Sequence, residues 1–239
     1  MTQAFFWGLC GGSFLLLGGW LAYHFALSRS VIAVVMALGS GVLIGSVVYE
    51  LIDEALKTES VGRVGVFFLV GAAAFAVGDH LVSRGGGSDR KDPTGKQGEG
   101  SPVAIVLGSV LDGIPESFVL GSSLLQEGAV PTAVVVGVFV SNVPEALSGS
   151  AGLLQAGWSH FRVFRMWTFV VAASVLATVL GYALLDEMGS SGGAFVTAYA
   201  AGALLVMLAD TLMPEAFELG GREAGLLTAF GFAVGFGLS

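Results

Sequence analysis

Residues 101–126 read SPVAIVLGSVLDGIPESFVLGSSLLQ, and residues 130–156 read VPTAVVVGVFVSNVPEALSGSAGLLQA. Both are apolar runs of membrane-crossing length. Each is broken by an acidic box around a proline: Asp112-Gly113-Ile114-Pro115-Glu116 and Ser141-Asn142-Val143-Pro144-Glu145. An ionised carboxylate near a bilayer midplane costs roughly 2.5–3.5 kcal/mol on insertion scales, so such a residue marks an ion path. Proline in a helix interior costs roughly 3 kcal/mol and frees the carbonyl four residues back. Those carbonyls belong to Leu111 and Val140, beside the carboxylates. A kink, a freed carbonyl and a Glu on each of two helices predict a place that holds a cation.

The remaining sequence fits this setting. The apolar runs are too long for a soluble domain of 239 residues, so an all-α polytopic membrane protein is expected, with the lipid bilayer as its surroundings. Eighteen acids against ten Lys and Arg exclude a nucleic-acid surface. Cys10 is the single cysteine, which excludes an internal disulfide and a Cys-based metal site. No Lys or Arg precedes the first apolar run, so it reads as a transmembrane helix and not as a signal peptide. Gly41-x-x-x-Gly45 and Gly231-x-x-x-Gly235 have the spacing of close helix contacts.

Eight spans are expected, at about 4–27, 31–56, 62–83, 102–125, 130–156, 163–185, 193–217 and 222–238, all in one domain over 1–239. The segment 84–101 is rich in Gly, Ser, Asp and Lys and reads as a flexible cytoplasmic loop. With the N-terminus outside, the inner loops carry Arg29, Arg84, Arg90, Lys91, Lys96, Arg162, Arg165 and Arg222, and the outer loops only Lys57 and Arg63. That asymmetry puts both termini outside. Glu59, Glu127, Asp186 and Glu187 then sit on the outer face, where they would attract cations.

The second and seventh spans resemble each other. Gly41-Val-Leu-Ile leads to Leu51-Ile52-Asp53-Glu54-Ala55, and Gly202-Ala-Leu-Leu leads to Leu212-Met213-Pro214-Glu215-Ala216. These spans cross in opposite directions, as do the fourth and fifth. The pattern predicts a 3+2+3 inverted repeat, an arrangement whose members bind substrate near the midplane.

Asp112 and Glu116 are four residues apart and share a helix face, as do Ser141 and Glu145; Asn142 is three residues before Glu145. Facing each other, the two helices would offer carboxylate, amide and hydroxyl oxygens to a divalent ion, so Asp112, Glu116, Ser141, Asn142 and Glu145 are the candidate metal ligands. Glu50, Asp53 and Glu54 lie toward the outer end of the second span. Asp79 and His80, with Asp210, Glu215 and Glu218, lie toward inner ends; together these eight would line the pathway.

These residues resemble the ZIP (Zrt-, Irt-like) metal transporters across nearly the whole chain. The fourth-span box of that family typically reads His-Asn-x-Pro-Glu-Gly, and residues 112–117 match its frame. Residues 141–146 match the fifth-span box, and Leu212-Met213-Pro214-Glu215-Ala216 matches a further Leu-x-Pro-Glu-Ala pattern. The resemblance implies import of divalent ions of the zinc, iron and manganese class into the cytoplasm across a cell membrane. It also implies a homodimer and no cofactor beyond the metal substrate. The chain departs from the family where His falls on Asp112 and Asn on Gly113. The sixth span has no acid around Ala177-Thr178-Val179, where many bacterial members complete a second metal position, and loop 84–101 has no His. With neither imidazole nor thiolate in the boxes, the preference moves from zinc toward manganese, iron(II) or magnesium.

Three readings stand side by side: a divalent-cation carrier, a relative that binds metal or a partner without transport, and a proton- or sodium-coupled carrier. An intramembrane enzyme is not expected. There is no His-Glu-x-x-His, and every Lys lies in a loop, which leaves no Ser-Lys dyad within the membrane.

Overall fold

The computed structural model describes the backbone of residues 1–25, 28–92, 94–127, 130 and 132–238, and the side chains of these apart from 97, 99, 125–127, 133, 185–191 and 238. Glu127, Asp186 and Glu187, expected at the entrance, lie outside the described side chains, and the span ends at 26–27 and 131 outside the described residues.

Among the described residues the chain is helical, with no strand. Seven helices are long and apolar enough to cross a membrane: α1 (Thr2–His24), α2 (Arg29–Thr58), α3 (Val61–Gly87), α4 (Pro102–Glu127), α5 (Thr132–Gln155), α6 (His160–Leu184) and α7 (Gly192–Gly220). A shorter apolar helix, α8, covers Glu223–Leu238. Local chemistry sets the ends. The Ser28 hydroxyl accepts from Val31 N at the start of α2, and Ser159 accepts from Arg162 N at the start of α6. Gly157, at φ +86°, closes α5 with Trp158 N bonded back to Leu153 O. Helical geometry runs through Pro115 and Pro144, so α4 and α5 are each continuous across their acidic boxes.

Helical geometry also extends over His160–Met207, yet α6 and α7 are not one rod. A Cβ on Gly113 would sit 3.0 Å from the Ser174 hydroxyl. The Thr211 hydroxyl is 3.2 Å from Lys91 Nζ, which is itself 3.1 Å from Asp112. Positions 174 and 211 would be about 55 Å apart along a straight helix. Both therefore reach the neighbourhood of Asp112 because the chain reverses between α6 and α7.

The surface is inverted relative to a soluble protein. Leu69, Leu176 and Leu226 are each more than 60% exposed, and the apolar window of α3 is only 17% buried. A face this apolar suits lipid. The main core gathers Met36, Leu43, Leu120, Leu204, Met207 and Leu208; a second core surrounds Trp167, whose indole N–H donates to Ser150 Oγ at 2.8 Å. Buried hydroxyls of Ser40, Thr178 and Thr197 bond to carbonyls four residues back in their own helices, so none is stranded.

Glycine lets the helices touch. Gly41 of α2 stands against Thr228 and Phe232 of α8, where Gly231 meets Leu38 in return. Gly202 of α7 stands against Phe68 and Ala72 of α3, where Gly71 meets Tyr199. Both α2 and α7 also loosen into a π-helical turn, at Val47–Ile52 and Leu208–Leu212, just ahead of Glu54 and Glu215. A Cβ at Gly41 or Gly202 would collide with backbone, whereas one at Gly65 meets nothing within 4 Å. Overpacking of this kind costs about 1–3 kcal/mol. Gly41→Ala and Gly202→Ala should each lower the melting temperature in detergent, with Gly65→Ala unchanged; equal melting of all three would contradict this packing.

Candidate cation site

Helical spacing puts Asp112 and Glu116 one turn apart on the inward face of α4, and Ser141, Asn142 and Glu145 on that of α5. All five are at most 5% exposed. Ser141 Oγ donates to Glu116 Oε1 at 2.8 Å, which joins the two helices. Glu116 Oε2 is buried with no hydrogen-bond partner. Asn142 Nδ2 donates to Gly11 O of α1 at 3.1 Å, so this side chain is tied to a third helix.

Two basic residues complete the site, and they come from the stretch expected to be a flexible loop. After Gly86, whose φ of +93° turns the chain, residues 90–92 re-enter the bundle. Gly108 of α4 faces the Arg90 side chain and Gly149 of α5 its carbonyl, which leaves room for the returning segment. Arg90 grips Asp112 through Nε to Oδ2 at 2.7 Å and Nη2 to Oδ1 at 2.8 Å. The same Nη2 donates to Asp79 Oδ1 at 2.7 Å, and Nη1 to Gly87 O at 3.0 Å. Lys91 Nζ lies 3.1 Å from Asp112 Oδ2, 3.1 Å from Glu145 Oε2 and 3.2 Å from Thr211 Oγ1. The Lys91 carbonyl accepts from Ser148 Oγ.

Electrostatics keep both basic groups charged. Burial alone would lower the Lys91 pKa, but the Asp112 and Glu145 carboxylates hold it above its ordinary value; Glu215 acts in the same direction. Arg90 is likewise held up by Asp112 and Asp79 against the effect of burial. The segment is fixed beyond the pair as well. Asp92 accepts from Thr94 N at 2.6 Å and from the Thr94 hydroxyl, and pairs with Lys96 at 3.0 Å. Burial would raise the Asp92 carboxyl, yet these hydrogen bonds keep it below the usual range.

The expected pathway residues divide. A cavity of about 220 Å³ beside Lys91 is lined in part by Asp79, Asp210, Glu215 and Glu218. Glu215 Oε2 is buried and lacks a hydrogen-bond partner, and Glu218 reaches Lys96 at 3.5 Å. Glu50, Asp53 and Glu54 do not line this cavity; Glu54 and Asp53 pair instead with Lys57, at 2.6 and 3.9 Å. His80 is exposed. Among the described residues no three His, Cys, Asp or Glu side chains group as a ready-made metal site. Lys91 lies between Asp112 and Glu145 instead.

Sequence reading missed Arg90, Lys91, Ser148 and Thr211 as site residues, because it treated the basic pair only as a sign of membrane orientation. One signal was available: the central spans hold Asp112, Glu116 and Glu145 and no Lys or Arg, so any counter-charge must come from a loop or a ligand.

Removing one partner of a buried ion pair costs about 3–5 kcal/mol, whereas replacing both with apolar groups costs far less. Asp112→Asn should therefore destabilise by that order in mixed-micelle denaturation. Arg90→Leu with Asp112→Leu should cost well below the sum of the two single changes, and a double-mutant cycle with no coupling would contradict the pairing.

A scan against protein-family models finds no match for this chain, and a search of curated proteins also finds none.

Proposed function

We propose that this chain is a ZIP-like membrane carrier of divalent metal cations, with Asp112, Glu116 and Glu145 as charged ligands and Ser141 and Asn142 as neutral ones. The observation that carries the reading is an excess of acid, buried at Asp112, Glu116 and Glu145 and half-buried at Asp79 and Glu215. Asp79, Asp112, Glu116, Glu145 and Glu215 gather around two basic side chains, and Glu116 and Glu215 each keep a buried oxygen without a hydrogen-bond partner. Carboxylates so placed in low dielectric call for further positive charge or a proton, and a divalent ion would supply the charge.

The architecture proposed is eight spans in a 3+2+3 inverted repeat, with α8 as the eighth. The matched glycine contacts, α2 on α8 and α7 on α3, support it, as do the π turns at corresponding places in α2 and α7. The α8 helix has 16 residues, about 24 Å, and would need local bilayer thinning to span. The cavity lined by Asp210, Glu215 and Glu218 would be the inner vestibule, with both termini outside a cell membrane and import as the direction. Oxygen-only donors favour manganese, iron(II) or magnesium beside zinc. A homodimer is part of the same reading.

One observation favours binding without transport as a second reading: Arg90 and Lys91 already pair with Asp112 and Glu145. Uptake of manganese, zinc, iron(II) and magnesium into proteoliposomes separates the two, with wild type beside Glu116→Gln/Glu145→Gln. The carrier reading expects flux in wild type that falls by at least roughly a hundredfold in the variant, the effect of about 2.7 kcal/mol of lost binding. Binding without flux in wild type would support the second reading, and neither binding nor flux would refute both.

A further inference from the structure

We infer that Lys91 is a tethered cation occupying the substrate position, so that a divalent ion binds between α4 and α5 only when the segment carrying Arg90 and Lys91 withdraws. The inference rests on the carrier reading and adds a device that controls access to that site.

The geometry around Lys91 is that of a bound cation. Its ammonium meets one oxygen from each of three helices: Asp112 of α4, Glu145 of α5 and Thr211 of α7, all within 3.2 Å. A divalent ion needs carboxylate oxygens at about 2.0–2.6 Å. Asp112 and Glu145 cannot supply these while the ammonium stands between them. Two positive charges in one buried cage also repel strongly. Occupation by Lys91 and by metal is therefore mutually exclusive.

The fastening of the segment suits reversible withdrawal. Arg90, Lys91 and the Ser148 contact hold it from inside the bundle. At the rim the tie to α7 is Lys96 with Glu218, 52% and 68% exposed, an ion pair that water screens and so weakens. The carboxylates that hold Lys91, Asp112 and Glu145, are the same ones a metal ion would claim, while Asp79 also holds Arg90. An incoming divalent ion competes directly for the charges that hold the segment. The cavity of about 220 Å³ beside Lys91, lined by Asp210 and Glu215, gives the displaced side chain an acid-lined way out. Gly85, Gly86 and Gly87 supply a hinge on one side of the segment, and Gly95 and Gly98 lie on the other.

Two measurements on the full chain in detergent test this: equilibrium dialysis with Mn²⁺ or Zn²⁺ on wild type, Lys91→Met and Lys91→Arg, and timed trypsin cleavage after Arg90 and Lys91 in wild type. Lys91→Met should bind metal tighter by roughly 5–150-fold, the usual span of a coupling between linked events. Lys91→Arg should show no such gain. Metal should speed cleavage at Arg90 and Lys91 in wild type, relative to cleavage at Arg222. The cleavage assay stands even if Lys91→Met does not fold. Equal metal affinity in wild type and Lys91→Met, with cleavage unaffected by metal, would overturn the tethered-cation inference and leave the carrier reading intact. Absence of metal binding in all three proteins would overturn both.

Discussion

An ionised carboxylate inside a bilayer must meet a positive charge or take up a proton, because no bulk water is there to solvate it. Asp112 and Glu145 meet Arg90 and Lys91. That contact organises the molecule. Through one dipeptide, α3 is joined by Asp79, α4 by Asp112, α5 by Glu145 and Ser148, and α7 by Thr211. Lipid offers no hydrophobic drive for helices to associate, so polar ties and close packing carry that task. The strongest polar ties of this bundle converge on a segment that belongs to none of the spans.

Close packing supplies the second constraint. Glycines 41, 231, 71 and 202 bring backbone against backbone on the flanks, so α2 with α8 and α3 with α7 pack as paired ribs around α4 and α5. Large apolar side chains are left to face lipid. Apart from the charged site, several buried Ser and Thr side chains return a hydroxyl to their own helix. Two hydroxyls reach across helices: Ser141, which also meets Val138 O of its own helix, bonds to Glu116, and Ser148 bonds to the Lys91 carbonyl. Asp112, Glu145 and the basic segment thus form one polar network, with the Ser141–Glu116 bond between α4 and α5 beside it and unpartnered oxygens at Glu116 and Glu215.

Much of this was legible in the chain. Apolar runs of crossing length located all seven long helices. The four-residue spacing of Asp112 with Glu116, and of Ser141 with Glu145, put these side chains on common faces because helical periodicity is a local property. Helix α6 starts close to its expected place for the same reason, with Ser159 as a cap. Glu50, Asp53 and Glu54 were grouped with the pathway by position along a span. The structure leaves them outside the cavity around Lys91, and Asp53 and Glu54 turn to Lys57, because azimuth on a helix and a cation one turn away in the same helix decide where a carboxylate points.

The sequence by itself determined the membrane setting, the helical class and the two acidic faces, since length, hydropathy and the 3.6-residue period are written in neighbouring residues. It did not reveal that residues 90–92 of the 84–101 stretch return into the bundle. The Gly, Ser and charged content of 84–101 satisfies every local criterion for a solvated linker, and the side chains that hold Arg90 and Lys91 lie 11 to 120 residues away. Only the tertiary structure placed Arg90 and Lys91 among the carboxylates, because the gain from pairing buried charges exists only once α4, α5 and α7 stand close enough to share them.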